Sequence, residues 1–463
     1  MKILLILPAS DDFRVASPTA LTPPRKMLRF SLLPLTTVAA LTPPGHEIKI
    51  VDENVEYLDL DTPADLVGIT FMTALAPRAY EIARAFRNRG IPVVAGGYHP
   101  TFMPDEAAKH FDAVVVGEAE LHWAKVVEDV QLGKLSKIYQ CDHACDPSMI
   151  PIPRRELTSS KSDQYVTVNA VQTGRGCRNK CRYCSITAFH KGQHRSRPIE
   201  TVLEELRQIP RTMLFIDDNL IADRPYIVEL LTRMIPLKKR WVTQCSIDLA
   251  DDPELLRLMK AAGCIGIFFG VESINQRNLD QFDKSFNNAE RFRERVRKIH
   301  KAGITVFTSI IVGGEHDDAT VFPEMFDFLQ TIHSDGLQLN IMTPLPGTPL
   351  FDTMKREGRV IDFDWSKYDF RHVVIQPRLM SQAELQTGAD WIYAQFYRLD
   401  RILLRSARVF FRSGWAAAWV VFGLNMTYRY DVKQERLWEK VKGVEWRKEA
   451  APEGIGVAVG EVA

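Results

Sequence analysis

Cys177, Cys181 and Cys184 stand within one short run, T-G-R-G-C-R-N-K-C-R-Y-C, Thr173–Cys184. Three thiolates at Cys-x3-Cys-x2-Cys spacing are soft ligands, suited to an iron–sulfur cluster or to zinc. A closed zinc site takes four ligands, and no fourth is evident nearby. A four-iron cluster held by three cysteines leaves one iron open to an exogenous ligand. The competing reading is core packing, because positions i, i+4 and i+7 share one helical face. Against it stand the intervening Arg178, Asn179, Lys180, Arg182 and Tyr183, and Gly174 and Gly176, which disfavour a helix at the start. Cys141 and Cys145 lack a third partner and read as linker residues; Cys245 and Cys264 sit in apolar strand contexts and read as core.

The cysteine run must be held by the elements around it. From Tyr165 the chain alternates strand and helix patterns, with strands expected at Val166–Gln172, Met213–Asp217, Trp241–Ile247, Ile265–Val271, Thr305–Val312 and Gln338–Met342. Six βα units suit an open, partial TIM-like barrel, in which chemistry sits on the loops after the strands. Polar residues follow these strands: Asp217 in F-I-D-D-N, Ser246, then Gly270, Glu272 and Ser273 in G-V-E-S, and Gly313 in I-I-V-G-G-E. Each alone is ordinary turn chemistry.

The first 135 residues alternate in the same way, with strands expected at Lys2–Pro8, Glu47–Asp52, Leu66–Met72, Pro92–Ala95 and Ala113–Val116. Runs such as V-V-A-G-G are continuously apolar and β-branched, the mark of a parallel sheet buried on both faces. The expected fold is therefore α/β: a Rossmann-like doubly wound sheet over 1–135, a linker over 136–164, a partial (βα)6 barrel over 165–348 and a mostly helical segment over 349–445. A disordered tail is expected over 446–463. Ligands of a doubly wound sheet bind beyond the carboxyl ends of its strands. Thr70 and Thr73, Gly96, Gly97 and His99, and Gly117 and Glu118 stand there.

Composition narrows the classes. The chain has 463 residues, 46% hydrophobic and 25% charged, which excludes a disordered protein. Lys+Arg number 59 and Asp+Glu 58, without the basic excess of a duplex-binding protein, so no nucleic-acid partner is expected. Seven cysteines are too sparse for a disulfide scaffold. The opening M-K-I-L-L-I-L-P-A-S-D-D is too short for a signal peptide and no run is long enough to span a membrane, so the expected location is the cytoplasm. Arg398, Arg401, Arg405, Arg408 and Arg412 fall on one helical face, followed by W-A-A-A-W-V-V-F-G-L. This reads either as a solvated basic face before a buried helix, or as a peripheral contact with the inner face of the membrane.

The C-x3-C-x-Φ-C motif, with Tyr183 before the third cysteine, resembles the radical S-adenosylmethionine (SAM) superfamily, and the preceding sheet resembles the cobalamin-binding domain of its cobalamin-dependent members. The resemblance implies a [4Fe–4S] cluster on Cys177, Cys181 and Cys184. It implies SAM contacts at Tyr183, Asp217, Ser246, Gly270, Glu272, Ser273 and Gly313. Cobalamin contacts follow at Thr70, Thr73, Gly96, Gly97, His99, Gly117 and Glu118. The D-x-H-x-x-G motif is missing, so His99 is expected to contact the cofactor from a loop rather than to ligate cobalt. The implied reaction is methylation of an unactivated carbon of a lipid- or tetrapyrrole-like small molecule, with a flavodoxin or ferredoxin as electron donor. The catalytic residues beyond the cofactor ligands are unassigned. Oxidative cyclisation or rearrangement with the same cofactors is the alternative enzyme reading, and a non-catalytic zinc-binding module is the third.

Overall fold

The computed structural model describes residues 1–17, 33–165, 167, 169–284 and 286–446. The expected tail beyond Trp446 lies outside the described residues.

Six parallel strands build the first sheet: β1 (Lys2–Leu7), β2 (Glu47–Asp52), β3 (Leu66–Thr70), β4 (Val93–Gly96), β5 (Ala113–Val115) and β6 (Ile138–Tyr139), in the order β2-β1-β3-β4-β5-β6. Successive side chains of a strand point to opposite faces. Leu4 and Ile6 therefore join a core with Ile82 and Phe86 of helix Ala76–Asn88, while Ile3 and Leu5 join one with Trp123 and Val126 of helix Trp123–Gln131. Both faces are dry, which is why the strands read as unbroken apolar runs. Strand β6 comes from the segment read as linker; two residues are too few to show a period.

The second sheet opens with β7 (Ala170–Val171). A two-stranded ribbon follows, β8 (Gly174–Arg175) and β9 (Arg195–Ser196), which closes the cysteine loop at its base. Then come β10 (Thr212–Phe215), β11 (Arg240–Gln244), β12 (Cys264–Glu272), β13 (Thr305–Val312) and β14 (Gly336–Ile341). The order β14-β13-β12-β11-β10-β7 is parallel throughout, the sheet of a partial barrel. Strands Glu47–Asp52 and Thr305–Val312 match expectation to the residue; the first barrel strand is Ala170–Val171, and positions 166 and 168 of its expected range lie outside the described residues.

An open barrel leaves the polar backbone of its last strand unpaired, and a bare edge invites wrong pairing. Helix Gln382–Phe396, started by a capping box of Ser381 and Glu384, covers that edge. The hydroxyls of Tyr393 and Tyr397 accept from the N–H groups of Leu339 and Leu337, each at 3.2 Å. Residues 357–381, expected in a mostly helical segment, instead form an irregular strap. Its Trp365 reaches the first sheet and donates to Glu106 at 2.8 Å.

Three arginines of the stripe face inward. Arg405 is buried, stacked 3.7 Å from the Phe396 ring centre and bonded to Asn425 Oδ1 and the Phe396 carbonyl. Arg412 pairs with Asp335 at 2.6 Å, and Arg401 lies over Phe326. Arg398 precedes helix Leu399–Ser413 as its N-cap, and Arg408 stays exposed. The outward face of this helix and of the next, Trp415–Gln434, carries Leu403, Leu404, Phe411, Trp415 and Trp419, with Phe411 86% exposed. The reading of a solvated basic face before a buried helix is thus inverted. Arginines at i, i+3 and i+4 can pack through their stems against aromatic rings, and helical periodicity gives a face without saying which way it turns. Among the described residues no helix is long and apolar enough to cross a membrane.

Asn425 accepts from the buried Arg405 and donates to the Asp335 carbonyl. Asn425→Ala takes one acceptor from a buried guanidinium and should lower the unfolding free energy by about 3 kcal/mol, read as an earlier urea midpoint. Arg408→Ala on the exposed side should change it by no more than about 0.5 kcal/mol.

Candidate active site

The cysteine loop is built from below by the end of β10. The Asp217 carboxylate accepts from Thr173 N at 3.0 Å, Thr173 Oγ1 at 2.7 Å and Gly174 N at 2.7 Å. Asp218 accepts from Gly176 N at 2.8 Å. Asn219 donates to Ser246 Oγ at 2.8 Å, and its amide approaches Cys177 Sγ at 4.0 Å. Burial pushes the carboxyls up against these donors, Asp217 to about 7 and Asp218 to about 6. Gly176 has φ +83°, and a Cβ there would collide with the Gln193 carbonyl, so only glycine lets the loop double back.

All three thiols line one cavity of about 280 Å³ at the barrel mouth. Burial raises their proton affinities, Cys181 to about 12, so binding a metal there must release protons. Among the described residues no three His, Cys, Asp or Glu side chains converge closely enough to hold a single ion. Three thiols lining one cavity fit a cluster of several irons, each taking its own cysteine.

On the same wall Tyr183 donates to Glu272 at 2.9 Å, and Lys284 Nζ lies 2.5 Å from Glu272 and 3.3 Å from the Tyr183 hydroxyl. Glu272 sits at φ +63°, just past a register shift between Gly270 and Glu272. A Cβ on Gly270 would collide with its carboxylate, so the glycine is what lets Glu272 fold back over the strand. Asn287 ties this strand end down through the Gly270 and Val271 carbonyls. Deeper in, Gln338 donates to Asn340, and Asn340 to Ser309, forming an uncharged polar floor. Over the mouth runs P-L-P-G-T-P-L-F, Pro344–Phe351, whose Gly347 lies against Phe102 of the first sheet's loops.

A second cavity, about 430 Å³, lies beyond the carboxyl ends of β1, β3, β4 and β5. Thr70, Gly96, Gly97, Gly117 and Glu118 line it, with Met72, Tyr98 and Trp123. Gly97, at φ +102°, lets the loop close on β3, because a Cβ would stand 2.8 Å from the Phe71 carbonyl. Asp218 lines both cavities. A larger groove of about 770 Å³ on the outside of the first sheet, between Arg84 and Lys109, holds none of these residues.

Of the residues singled out by sequence, Cys177, Cys181, Cys184, Tyr183, Ser246, Gly270 and Glu272 meet at the barrel cavity. Five others, Thr73, His99, Asp217, Ser273 and Gly313, stand behind the walls. Asp217 faces the loop backbone, and its neighbour Asp218 reaches the cavities. Ser273 accepts from the Asn275 N–H and the Asn278 amide. Gly313 turns the chain over Leu385 and donates to Asp317. His99 is fully buried, with its ring 3.0 Å from the Tyr80 hydroxyl, 3.3 Å from Thr73 Oγ1 and edge-on to Trp365. Its neighbour Tyr98 takes the place in the cavity wall. Lys284, Asn219 and Asp218 were missed; the doubled acid in F-I-D-D-N was the one available signal for Asp218.

Residues 171–329 match the Radical SAM superfamily, and residues 33–127 match the B12 binding domain. The chain is 28% identical over 433 residues to the bacteriochlorophyllide d C-12(1)-methyltransferase of Chlorobaculum tepidum, covering 91% of each. It is 28% identical over 347 residues to the hopanoid C-2 methylase of Rhodopseudomonas palustris, covering 71% of this chain and 65% of that protein. The anaerobic magnesium-protoporphyrin IX monomethyl ester cyclase of Cereibacter sphaeroides is 26% identical over 404 residues, 77% of this chain and 65% of that protein. The fold is shared with the cobalamin-dependent radical enzyme OxsB, solved with aqua-cobalamin and SAM bound (TM-score 0.63, 13% identity, 95% of this chain and 80% of that one). It is shared too with the methyltransferase TsrM of Kitasatospora setae, solved with cobalamin and a [4Fe–4S] cluster (TM-score 0.57, 16% identity, 77% of this chain and 78% of that one). The chain thus carries a radical SAM domain over residues 171–329, preceded by a B12-binding domain over 33–127, with a [4Fe–4S] cluster, SAM and cobalamin as the cofactors of those domains.

Proposed function

We propose that this enzyme methylates an unactivated carbon of a lipid- or tetrapyrrole-like small molecule. The observation that carries the reading is the shared wall. The cavity lined by the three cysteines and the cavity beyond the first sheet share Asp218 as a wall, so groups bound in each lie on either side of one carboxylate. When bound, the cluster and cobalamin supply radical generation and methyl transfer, for a sum of two SAM, two electrons and R–H giving R–CH3, S-adenosylhomocysteine, methionine and 5′-deoxyadenosine.

The chain holds, orients and encloses. Cys177, Cys181 and Cys184 would ligate the cluster. Tyr183, Ser246, Gly270 and Glu272 would orient SAM, with Lys284 bonded to Glu272 to hold that carboxylate in place. Thr70, Gly96, Gly97, Gly117 and Glu118 would receive the corrin. The amide floor of Gln338 and Asn340 offers hydrogen bonds without charge, suited to a substrate whose polar groups are neutral. Similarity to the cyclase favours a second reading, oxidative cyclisation on the same scaffold.

Two electrons per turnover call for a one-electron donor such as a flavodoxin or ferredoxin. The exposed Phe411, Trp415 and Trp419 would seat the enzyme on the inner face of the membrane.

Cys181→Ala should abolish both the cluster absorbance near about 400 nm and deoxyadenosine formation; retention of both would refute the assignment. Anaerobic turnover with cobalamin, a reductant and methyl-labelled SAM, against lipid and pigment extracts of the host, should move label into a product. Cyclisation would give an unlabelled one. In liposome flotation the intact chain should rise with anionic vesicles and a Phe411→Glu, Trp415→Glu, Trp419→Glu variant should not. Equal behaviour would remove the membrane from the account.

A further inference from the structure

The ribbon that closes the cysteine loop is docked on the first sheet by charge. Arg175 of β8 and Arg195 of β9 are register partners. Arg175 donates to Glu118 at 2.9 Å and to Glu120 at 2.6 Å, and Arg195 donates to both oxygens of Glu118 at 2.9 Å. The Cys145 N–H completes the set at 2.7 Å from Glu118. The cluster is almost dry, with Glu118 and Glu120 side chains 7% and 3% exposed and the arginines 15% and 16%. Burial would raise Glu118, but the two guanidiniums hold it down at about 2, so it stays ionised across the working range.

The surrounding chain offers little stiffness of its own. Gly174 and Gly176 flank Arg175, and Gly174 is needed for the ribbon to close, since a Cβ there would stand 2.8 Å from the His194 ring. Planar guanidiniums bonded at both ends fix orientation as well as distance. Both Glu118 and Arg175 belong to the wall of the second cavity, so the clamp spans the gap between the two proposed reagents.

We propose that Arg175 and Arg195 are positioning residues that set the alignment of the cysteine loop with the corrin-binding floor. The proposal rests on the cobalamin-dependent reading above. Glu118, first read as a cofactor contact, would then act chiefly as the anchor of this clamp.

The test uses the full chain, reconstituted anaerobically with iron, sulfide and hydroxocobalamin, as wild type, Arg175→Gln and Arg175→Lys. Pulsed EPR between the reduced cluster and Co(II) reads the alignment directly. The wild type should give one narrow distance distribution, Arg175→Gln a broadened one and Arg175→Lys an intermediate. In the same samples, label transfer from methyl-SAM to the reduced corrin should fall about tenfold further than deoxyadenosine formation in Arg175→Gln, because misplacement by an ångström costs up to about a hundredfold in rate. If Arg175→Gln does not fold, Arg175→Lys and Glu120→Gln carry the comparison. Variants with the wild-type distance distribution, or with both reactions falling in step, overturn the clamp alone. A wild type that takes up iron but no cobalt overturns the functional reading and this role with it.

Discussion

Everything at the barrel mouth depends on the Asp217 carboxylate being held out of water by the backbone of the loop it supports. Its oxygens take two N–H groups and a hydroxyl from Thr173 and Gly174, so a loop with glycines on both sides of Arg175 acquires one conformation. Such donors would be orphaned in a buried turn without an acceptor, and an unpaired buried donor costs about 1–3 kcal/mol. One side chain at the end of β10 thus settles where three cysteines stand. Asp218 and Asn219 carry the same support onward to Gly176, Cys177 and Ser246.

The two sheets meet because both are parallel. A parallel sheet collects all its strand-to-helix loops at one edge, and here the two edges open toward each other across Asp218. The contact mixes ion pairs with aromatic packing, Tyr98 and Phe102 of the first domain lying against Phe189 of the second. Glu118, Glu120, Arg175 and Arg195 balance charge across it, while Trp365 and Glu106 fasten the strap on the far side. Stability is supplied elsewhere, by the dry faces of each sheet and by the tyrosine-bearing helix over β14.

Much of this was legible in the residues. The spacing of three cysteines among charged neighbours marked the ligand loop, and β-branched runs bounded by glycine marked the strands. At the two cavities the misses share a reason. Past the end of a strand, alternation stops telling inside from outside, so the pattern points to Asp217 where Asp218 reaches the cavity, and to His99 where Tyr98 does. Lys284 comes from a segment with no strand or motif of its own, and only the fold brings it to Glu272.

By itself the sequence determined the chemistry and the layer plan: thiol ligands at a fixed spacing, two parallel sheets, and loops at their carboxyl ends. These follow from local covalent spacing and from periodicity, which need no knowledge of neighbours. Only the tertiary structure decided which side of each element looks inward. It turned Arg401, Arg405 and Arg412 inward and left Phe411 and Trp415 in solvent. It buried His99 against Trp365, and it joined the two cavities at one carboxylate. Direction is a property of the partner surface, and partners far apart in the chain meet only when the whole molecule has folded.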